Sequence, residues 1–203
     1  DLKNRKVLKQ CLLSKETALD IMNRMEKYHV MYDPYIKGRG ISKPQFMENL
    51  EEYGIRAAVR ELVYDTRDVV DDPASYVRAS DTDVEKMNVF LADLSDRDMI
   101  EKELSEIPGL IVTSSMPNNI EINAEGATKG GALLWLAEYL GVEREAVMAF
   151  GDGSNDISML KAAGTGVAME NGVQTAKEAA DVIACSNDGD GVAKMIEQLV
   201  LEK

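Results

Sequence analysis

Two aspartates lie four residues apart in a glycine-containing turn that directly follows a short apolar run. The stretch is AFGDGSNDISML, residues 149–160, and the two carboxylates belong to Asp152 and Asp156. Ligands of open α/β sheets collect where strands end, and the glycines on either side of Asp152 let the backbone approach a ligand. Two converging carboxylates suit a hard cation such as Mg²⁺, which keeps waters that a phosphate can replace. Asn155 adds a neutral donor and acceptor.

The same turn also has an ordinary structural interpretation, which the spacing leaves open. Asp-Gly pairs are common in turns, and Asn155 or Asp156 could simply cap the helix that follows. A helix cap can also serve a metal site, so this interpretation does not exclude cation binding. A calcium-binding EF-hand loop is excluded, because Ile157 stands where that loop needs glycine and Ala163 where it needs glutamate.

A lysine upstream of this turn could supply the positive charge that a phosphate site needs. Lys129 lies in EGATKGGAL, residues 125–133, in the first turn of a helix that Thr128 is expected to cap. The free N–H groups of a helix N-terminus favour an anion, and an ammonium group adds to that attraction. Taken alone, a lysine here is equally typical of a solvated surface charge.

From Thr128 onward, short apolar strands alternate with helices. Strands are expected at 146–150, 165–169 and 181–184, and helices at 128–140, 157–163, 174–180 and, after the loop CSNDGDG, through Met195, Ile196 and Leu199. This alternation indicates right-handed crossovers, and therefore an α/β fold with a partial doubly wound parallel sheet. Three such strands alone would leave an apolar parallel strand at an open edge, so we expect a further strand beside them.

Residues 12–122 follow a different pattern, in which runs of helix are followed by paired strands. Helices are expected at SKETALDIMNRMEKY, with Ser14 as its cap, and at KPQFMENLEEYG, TDVEKMNVFLADL and DRDMIEKELSEI. Strands are expected at HVMYDPYIKGRGIS, LIVTSS and NNIEINA. Such a pattern predicts an α+β module with an antiparallel sheet.

Charge and cysteine content limit the classes of partner. The sequence has 23 Lys and Arg against 36 Asp and Glu, a net charge of −13, which repels phosphate backbones and anionic lipid. We therefore expect no nucleic-acid partner and no membrane partner; the most apolar stretch, ALLWLAEYLG, is short and interrupted by Glu138. Two distant cysteines, Cys11 and Cys185, indicate reduced thiols and a cytoplasmic protein.

These features occur together in one known family. INAEGATKGGAL, followed by MAFGDGSNDISMLKAAGTGVAMENGVQTAKEAADVIACSNDGDGVAKMI, resembles the C-terminal part of the Cof-like, class IIB phosphatases of the haloacid dehalogenase superfamily. The lysine, the Gly-Asp-x-x-Asn-Asp turn and the later Asp-Gly loop have that family's order and spacing. The resemblance implies a haloacid dehalogenase-like core half at 123–203, an α+β cap domain at 12–122, and residues 1–11 as the segment leading from core to cap.

The resemblance also implies a chemistry: Mg²⁺-dependent hydrolysis of small phosphate monoesters, such as sugar phosphates or cofactor phosphates, by a monomer or homodimer. Lys129 would be the catalytic, phosphate-binding lysine, and Asp152 the catalytic residue that binds the metal directly. Asp156 would hold the metal through its water shell, and Asn155 would lie beside the phosphate. The alternatives are a phosphomutase or sugar-phosphate-specific phosphatase of the same superfamily, and a non-catalytic module that binds Mg²⁺ and phosphate.

The sequence departs from the family pattern in one respect. The family begins with a strand ending in Asp-x-Asp-Gly, whose first aspartate attacks phosphorus and whose second acts as acid and base. No such strand is present here, and the DGDG of residues 188–191 follows the last expected strand. We therefore expect a segment of roughly 30 residues or more before Asp1, catalysis through an aspartyl-phosphate in the complete protein, and no activity from residues 1–203 alone.

Three smaller signals are assigned to structure rather than to chemistry. His29 is the only histidine and has no visible partner in the sequence. Lys37, Arg39 and Lys43 form a basic cluster that could meet an anionic substrate, but a solvated turn explains it as well. Asn187 follows the third expected strand and could reach the site, although a turn role is favoured.

Overall fold

The chain divides between Gly126 and Ala127 into two units, each built on its own sheet. The computed structural model describes residues 1–114 and 116–201. Ser115, the last residue of the expected strand LIVTSS, lies outside the described residues, as do the last two residues of the expected 123–203 segment.

The described residues of the first unit form six strands, of which the central ones are buried. The strands are β1 (Val30–Ile36), β2 (Arg39–Ser42), β3 (Arg67–Val69), β4 (Met87–Leu91), β5 (Leu110–Thr113) and β6 (Asn119–Ala124). They lie in the order β3-β2-β1-β4-β6-β5, with antiparallel neighbours except for the parallel pair β2 and β3. Apart from the half-buried Tyr35, every residue of β1 and β4 is buried. The antiparallel α+β module is thus confirmed.

Five helices accompany these strands in the described part of the first unit. They are α1 (Lys15–Met25), α2 (Pro44–Glu48), α3 (Ala57–Thr66), α4 (Pro73–Ala79) and α5 (Arg97–Ser105). Ser14 caps α1 as expected, because its Oγ accepts a hydrogen bond from the Thr17 N–H at 3.0 Å. The apolar faces of α1 and α5 are fully buried in the core, which is the main source of their stability.

One expected helix is a strand, and other elements were not expected. TDVEKMNVFLADL was predicted to be helical, but Met87–Leu91 within it forms β4, between β1 and β6. Its apolar residues fit a helical spacing, yet a short apolar run fits a strand buried on both faces equally well. Pairing with distant strands decides between the two. The same dependence on distant partners explains why α3, β3 and α4 were missed and why α2 is shorter than KPQFMENLEEYG.

The smaller signals of the first unit have structural partners. His29 Nε2 lies 3.1 Å from Glu52 Oε1, and its ring contacts Tyr53 edge-on. The three residues of the basic cluster each form an ion pair with an acidic residue of the same unit; the pairs are Lys37–Asp81, Arg39–Asp68 and Lys43–Glu26. The charge of this cluster is therefore balanced locally, which supports the structural interpretation.

The second unit has the parallel α/β architecture that the alternation predicts. Its strands β7 (Met148–Gly151), β8 (Thr165–Met169) and β9 (Val182–Ala184) are parallel and lie in this order. Its helices are α6 (Lys129–Leu140), α7 (Ile157–Ala162), α8 (Gln174–Ala179) and α9 (Gly191–Ile196). Helices cover both faces, because Leu160 and Ala176 pack with Ala168, whereas Met195 packs with Val167 on the opposite face. The α/β fold is confirmed.

Helix α6 has the ends that its sequence predicts but exposes much of its apolar surface. Thr128 caps it, and it ends at Gly141, whose φ of 67° suits glycine. Leu136 and Leu140 are 46% and 62% exposed, and Gly130 and Ala137 are the buried residues of α6. Within the described ranges no helix has both the length and the apolar character to cross a bilayer.

A buried ion pair joins β1 to β3 across the sheet of the first unit. Arg67 Nε lies 3.1 Å from Asp33 Oδ2, and the side chains are 8% and 0% exposed. Burial raises the pKa of the Asp33 carboxyl, and the Arg67 charge only partly offsets this effect. Asp33 Oδ1 has no hydrogen-bond partner within residues 1–114 and 116–201. The buried Asp33 carboxylate therefore depends on the Arg67 charge for its stabilisation in the core.

Replacing Arg67 by methionine is expected to lower the free energy of unfolding by about 3 kcal/mol, because Asp33 would remain buried without its partner. The double variant Asp33→Val/Arg67→Met is expected to recover most of this loss, since no charge is then buried. Urea unfolding followed by circular dichroism measures both. The control Lys37→Met breaks an exposed pair and should change stability by about 0.5 kcal/mol or less; equal losses in Arg67→Met and the control would contradict this account.

Candidate functional site

Polar residues follow all three strands of the second unit where the strands end. Asp152 directly follows β7, Asn171 lies in the loop after β8, and Asn187 lies in the loop after β9. All three residues are exposed. Because parallel strands end at the same edge of a sheet, residues that are far apart in sequence meet there.

Asp156 closes the turn after β7 and is almost fully buried, with 5% of its surface exposed. Its Oδ2 accepts hydrogen bonds from the N–H groups of Asp152 at 2.9 Å and Gly153 at 3.0 Å, and its Oδ1 forms an ion pair with Lys129 Nζ. Burial alone raises the pKa of the Asp156 carboxyl, but these donors outweigh burial, and the pKa lies below its usual 3.8. The group is therefore ionised at neutral pH, with both oxygens occupied.

Lys129 is positioned by close contact between α6 and α7. Gly130, the next residue, has no room for a side chain, since a Cβ there would overlap the main-chain carbonyl oxygen of Ser158. The Gly130 N–H also donates to Ser158 Oγ at 3.2 Å, and Thr128 Oγ1 caps the helix by accepting from the Gly131 N–H at 2.9 Å. The Lys129 side chain remains half-exposed, so its ammonium can meet a ligand while bound to Asp156.

Asp152 is held by both of the neighbouring loops. Its Oδ2 accepts a hydrogen bond from Asn187 Nδ2 at 3.0 Å, and its carbonyl accepts one from the Val173 N–H at 2.8 Å. Gly172 packs so closely that a Cβ there would lie 3.0 Å from Asp152 Cα. Asp152 Oδ1 has no donor within the described part of the chain, and this oxygen is available to a ligand.

Asn155 is the predicted site residue that does not line the same cleft as the other three. It is half-buried, and its Oδ1 lies against Gly153, where an added Cβ would be 2.6 Å away. The other three predicted site residues line one open cleft of about 430 Å³, together with Asn187 and the apolar Phe150, Met159, Met169 and Val192. The structure thus brings Lys129, Asp152 and Asp156 together at this cleft, whereas Asn155 is not among its lining residues.

The carboxylate oxygens of the cleft suit Mg²⁺ only as an ion that keeps some of its waters. No group of three or more His, Cys, Asp or Glu residues able to hold a metal occurs within residues 1–114 and 116–201. The free carboxylate oxygen of Asp152 could serve as one ligand, whereas both oxygens of Asp156 are already bonded. Mg²⁺ commonly binds one or two carboxylates and keeps waters or phosphate oxygens in its other positions. On this basis the residues present fit a magnesium ion.

Two asparagines contribute more contacts to this site than their sequence context predicts. Asn187 begins a short 3₁₀ turn at 187–189, as expected, but it also reaches Asp152. Asn171 was not singled out, although its Oδ1 accepts the Asn187 N–H at 2.9 Å. The available signal was its position: an Asn-Gly pair two residues after an apolar strand marks a tight loop at the edge where the site lies.

Known proteins resemble this chain in sequence and in fold. The 5-amino-6-(5-phospho-D-ribitylamino)uracil phosphatase YcsE of Bacillus subtilis is 47% identical over 115 residues, which are 55% of this chain and 46% of that protein. The matched part thus spans less than half of this relative. A putative phosphatase of Streptococcus pyogenes is 28% identical over 197 residues, covering 92% of this chain and 71% of that protein.

Solved structures and a family-wide comparison agree with these relatives. A haloacid dehalogenase-like hydrolase of B. subtilis has a TM-score of 0.78 at 26% identity, covering 93% of this chain and 72% of its own. The HAD subclass IIB sugar phosphatase BT4131 has a TM-score of 0.73 at 25% identity, covering 96% and 70%. The sequence model of the haloacid dehalogenase-like hydrolases matches residues 1–196. The chain therefore belongs to the haloacid dehalogenase-like hydrolase family.

Proposed function

We propose that the protein to which these residues belong is a cytoplasmic, Mg²⁺-dependent phosphatase that acts on small phosphate monoesters. The observation that carries this proposal is one cleft that presents both the Lys129 ammonium and the free Asp152 carboxylate oxygen. A phosphate ester bound together with a divalent cation needs one group of each kind. Family membership and the phosphatases among the relatives support the same function, and the two free cysteines support the location.

Each site residue has a separate role in this proposal. Asp152 binds the cation through Oδ1, and Lys129 binds the phosphoryl oxygens. Asp156 orients Lys129 and the turn, and it would hold the cation only through the cation's waters, because both of its oxygens are already bonded. Asn155, which packs inside the same turn, stays assigned to the phosphate side of the site. Lys129 and Asp152 are the residues that contact reacting groups.

The reaction requires positive charge around the phosphoryl group and a nucleophile in line with it. When bound, the cation supplies Lewis-acid polarisation of a phosphoryl oxygen. Lys129 stabilises the charge that develops on the same group. We assign the nucleophile to an aspartate of the complete protein outside residues 1–203. Its carboxylate attacks phosphorus, and the second aspartate of the same motif protonates the substrate oxygen, which leaves as an alcohol. Water deprotonated by that second aspartate then releases phosphate from the aspartyl-phosphate.

The proposed substrate class is a phosphorylated sugar, sugar alcohol or cofactor. Three relatives from B. subtilis, at 47%, 38% and 43% identity, are named 5-amino-6-(5-phospho-D-ribitylamino)uracil phosphatases, and a structural neighbour is named a sugar phosphatase. The net charge of −13 further favours small substrates over nucleic acids, whose backbones it repels.

Residues 1–203 are expected to bind Mn²⁺, a spectroscopic substitute for Mg²⁺, and to lose this binding on Asp152→Asn, because the free carboxylate oxygen is the direct ligand. Electron paramagnetic resonance of free Mn²⁺ measures the affinity. Asp188→Asn is the matched control: it removes an exposed carboxylate that follows β9 and does not line the cleft. Unchanged Mn²⁺ affinity in Asp152→Asn would contradict the proposed metal ligand.

The complete protein is expected to hydrolyse phosphate monoesters in the presence of Mg²⁺, whereas residues 1–203 alone should give no turnover. A panel of sugar phosphates, cofactor phosphates and 5-amino-6-(5-phospho-D-ribitylamino)uracil, scored by kcat/KM, tests the activity and its substrate class. In the complete protein, Lys129→Met should lower kcat by about 100-fold, the usual effect of losing one charge-stabilising donor. Turnover by residues 1–203 alone would refute the assignment of the nucleophile, and an inactive complete protein would refute the function.

Lys129→Met is also expected to change stability in acid. Asp156 has a lowered pKa in the fold, so its contribution to stability is present above its unfolded pKa of 3.8 and is lost as the pH falls through the lower folded value. Removing the Lys129 charge raises the folded pKa and moves this loss to higher pH. Urea midpoints between pH 3 and pH 7 measure the effect, and Lys161→Met, at an exposed lysine of α7, is the control. Parallel pH profiles for the two variants would contradict the Lys129–Asp156 coupling.

A further inference from the structure

We propose that Asn171 and Asn187 are positioning residues that together hold the Asp152 carboxylate in its cation-binding orientation. The proposal rests on the function proposed above, because it concerns the same metal ligand. Its structural basis is a chain of two hydrogen bonds through the loops that follow the three parallel strands. Asn171 Oδ1 accepts the Asn187 N–H at 2.9 Å, and Asn187 Nδ2 donates to Asp152 Oδ2 at 3.0 Å.

The direction of each hydrogen bond follows from the chemistry of its groups. An ionised carboxylate only accepts, so the Asn187 carboxamide must present its NH₂ to Asp152. A backbone N–H only donates, so Asn171 must present its carbonyl oxygen to Asn187. Asn187 is therefore the donor in both hydrogen bonds, from its side chain to Asp152 and from its main chain to Asn171, and it engages one oxygen of Asp152 while leaving Oδ1 free.

The second part of the argument is that the side chain of Asp152 has no other restraint. The residue is exposed, and no donor other than Asn187 reaches its carboxylate within the described part of the chain. Its main chain, in contrast, is fixed by the Val173 N–H at 2.8 Å and by close packing against Gly172. The main chain is thus fixed by one loop and the carboxylate by the other.

The segment 171–173 connects these two restraints. Its Asn171 side chain holds the loop after β9, and its Val173 N–H holds the carbonyl of Asp152. This three-residue segment therefore fixes the main chain of Asp152 directly, and it fixes the orientation of the Asp152 side chain through Asn187. Groups that orient a metal ligand in this way commonly change metal affinity by 10–100-fold when they are removed.

A purely structural role for the two asparagines predicts something different. If they only stabilised turns, their removal would lower stability without a specific effect on the cation. If they position Asp152, metal affinity falls more than stability does. Asn171 acts only through Asn187, so its effect should also vanish once Asn187 is gone.

The test uses residues 1–203 with Mn²⁺ and Mg²⁺ as the ligands, so it does not depend on catalysis. The variants are Asn187→Ala, Asn171→Ala and the double variant. Mn²⁺ affinity is measured by electron paramagnetic resonance and Mg²⁺ affinity by competition, while thermal unfolding in the absence of metal measures stability. Gln174→Ala is the matched control, because its exposed carboxamide also donates to a carboxylate, Glu178 Oε1, at 3.0 Å.

Asn187→Ala is expected to weaken Mn²⁺ binding by about 10-fold, Asn171→Ala by less, and the double variant by no more than Asn187→Ala. The three variants and the Gln174→Ala control should unfold at similar temperatures, with affinity unchanged in the control.

Two results would overturn the proposal while leaving the proposed function intact. One is wild-type affinity in Asn187→Ala; the other is a fully additive double variant, since Asn171 would then act independently. Absence of Mn²⁺ binding by the unsubstituted chain would instead overturn the proposed metal site, and this proposal with it.

Discussion

The site depends on one buried carboxylate. Asp156 accepts hydrogen bonds from the backbone of the turn after β7 and an ion pair from the first residue of α6. These contacts connect the turn that follows β7 to the start of α6, which lies 27 residues earlier in the sequence. Because the carboxylate is buried, its charge is tolerated only while these donors surround it. The shape of the turn and the position of the lysine are therefore fixed by the same group.

The two aspartates of the motif have different environments in this arrangement. Asp156 is inside, ionised and fully bonded, whereas Asp152 is outside with one oxygen unoccupied by any described donor. Spacing alone suggests two equivalent carboxylates converging on a cation. We propose instead one ligand and one organising group, in line with the limited number of carboxylates that a partly hydrated Mg²⁺ needs. The side chains that hold the Asp152 carboxylate from the neighbouring loops, Asn187 directly and Asn171 through Asn187, are neutral, so they add no further negative charge to an acidic chain.

The second unit was predictable because its signals are local. Thr128 and Gly141 mark the ends of a helix, and the strand at 165–169 is bounded by glycine and by a turn. The first unit was predictable in class but not in detail, since β4 is a strand only through its pairing with β1 and β6. The same limit applies to the site: motif spacing identifies Lys129 and the two aspartates, but which loop side chains reach Asp152 depends on the folded path of three loops.

The main-chain contact at Gly130 fixes the position of Lys129 independently of the apolar side chains that line the cleft. Since α6 touches α7 through backbone atoms, the location of the ammonium does not depend on the size of any core side chain. The side chains of Met159, Met169 and Val192, which also line the cleft, take no part in that contact, to which Met159 contributes only its main-chain nitrogen. Exchanging them would reshape the apolar wall without displacing the charged groups. The cleft can thus be reshaped at its apolar wall while the contact that carries Lys129 stays as it is.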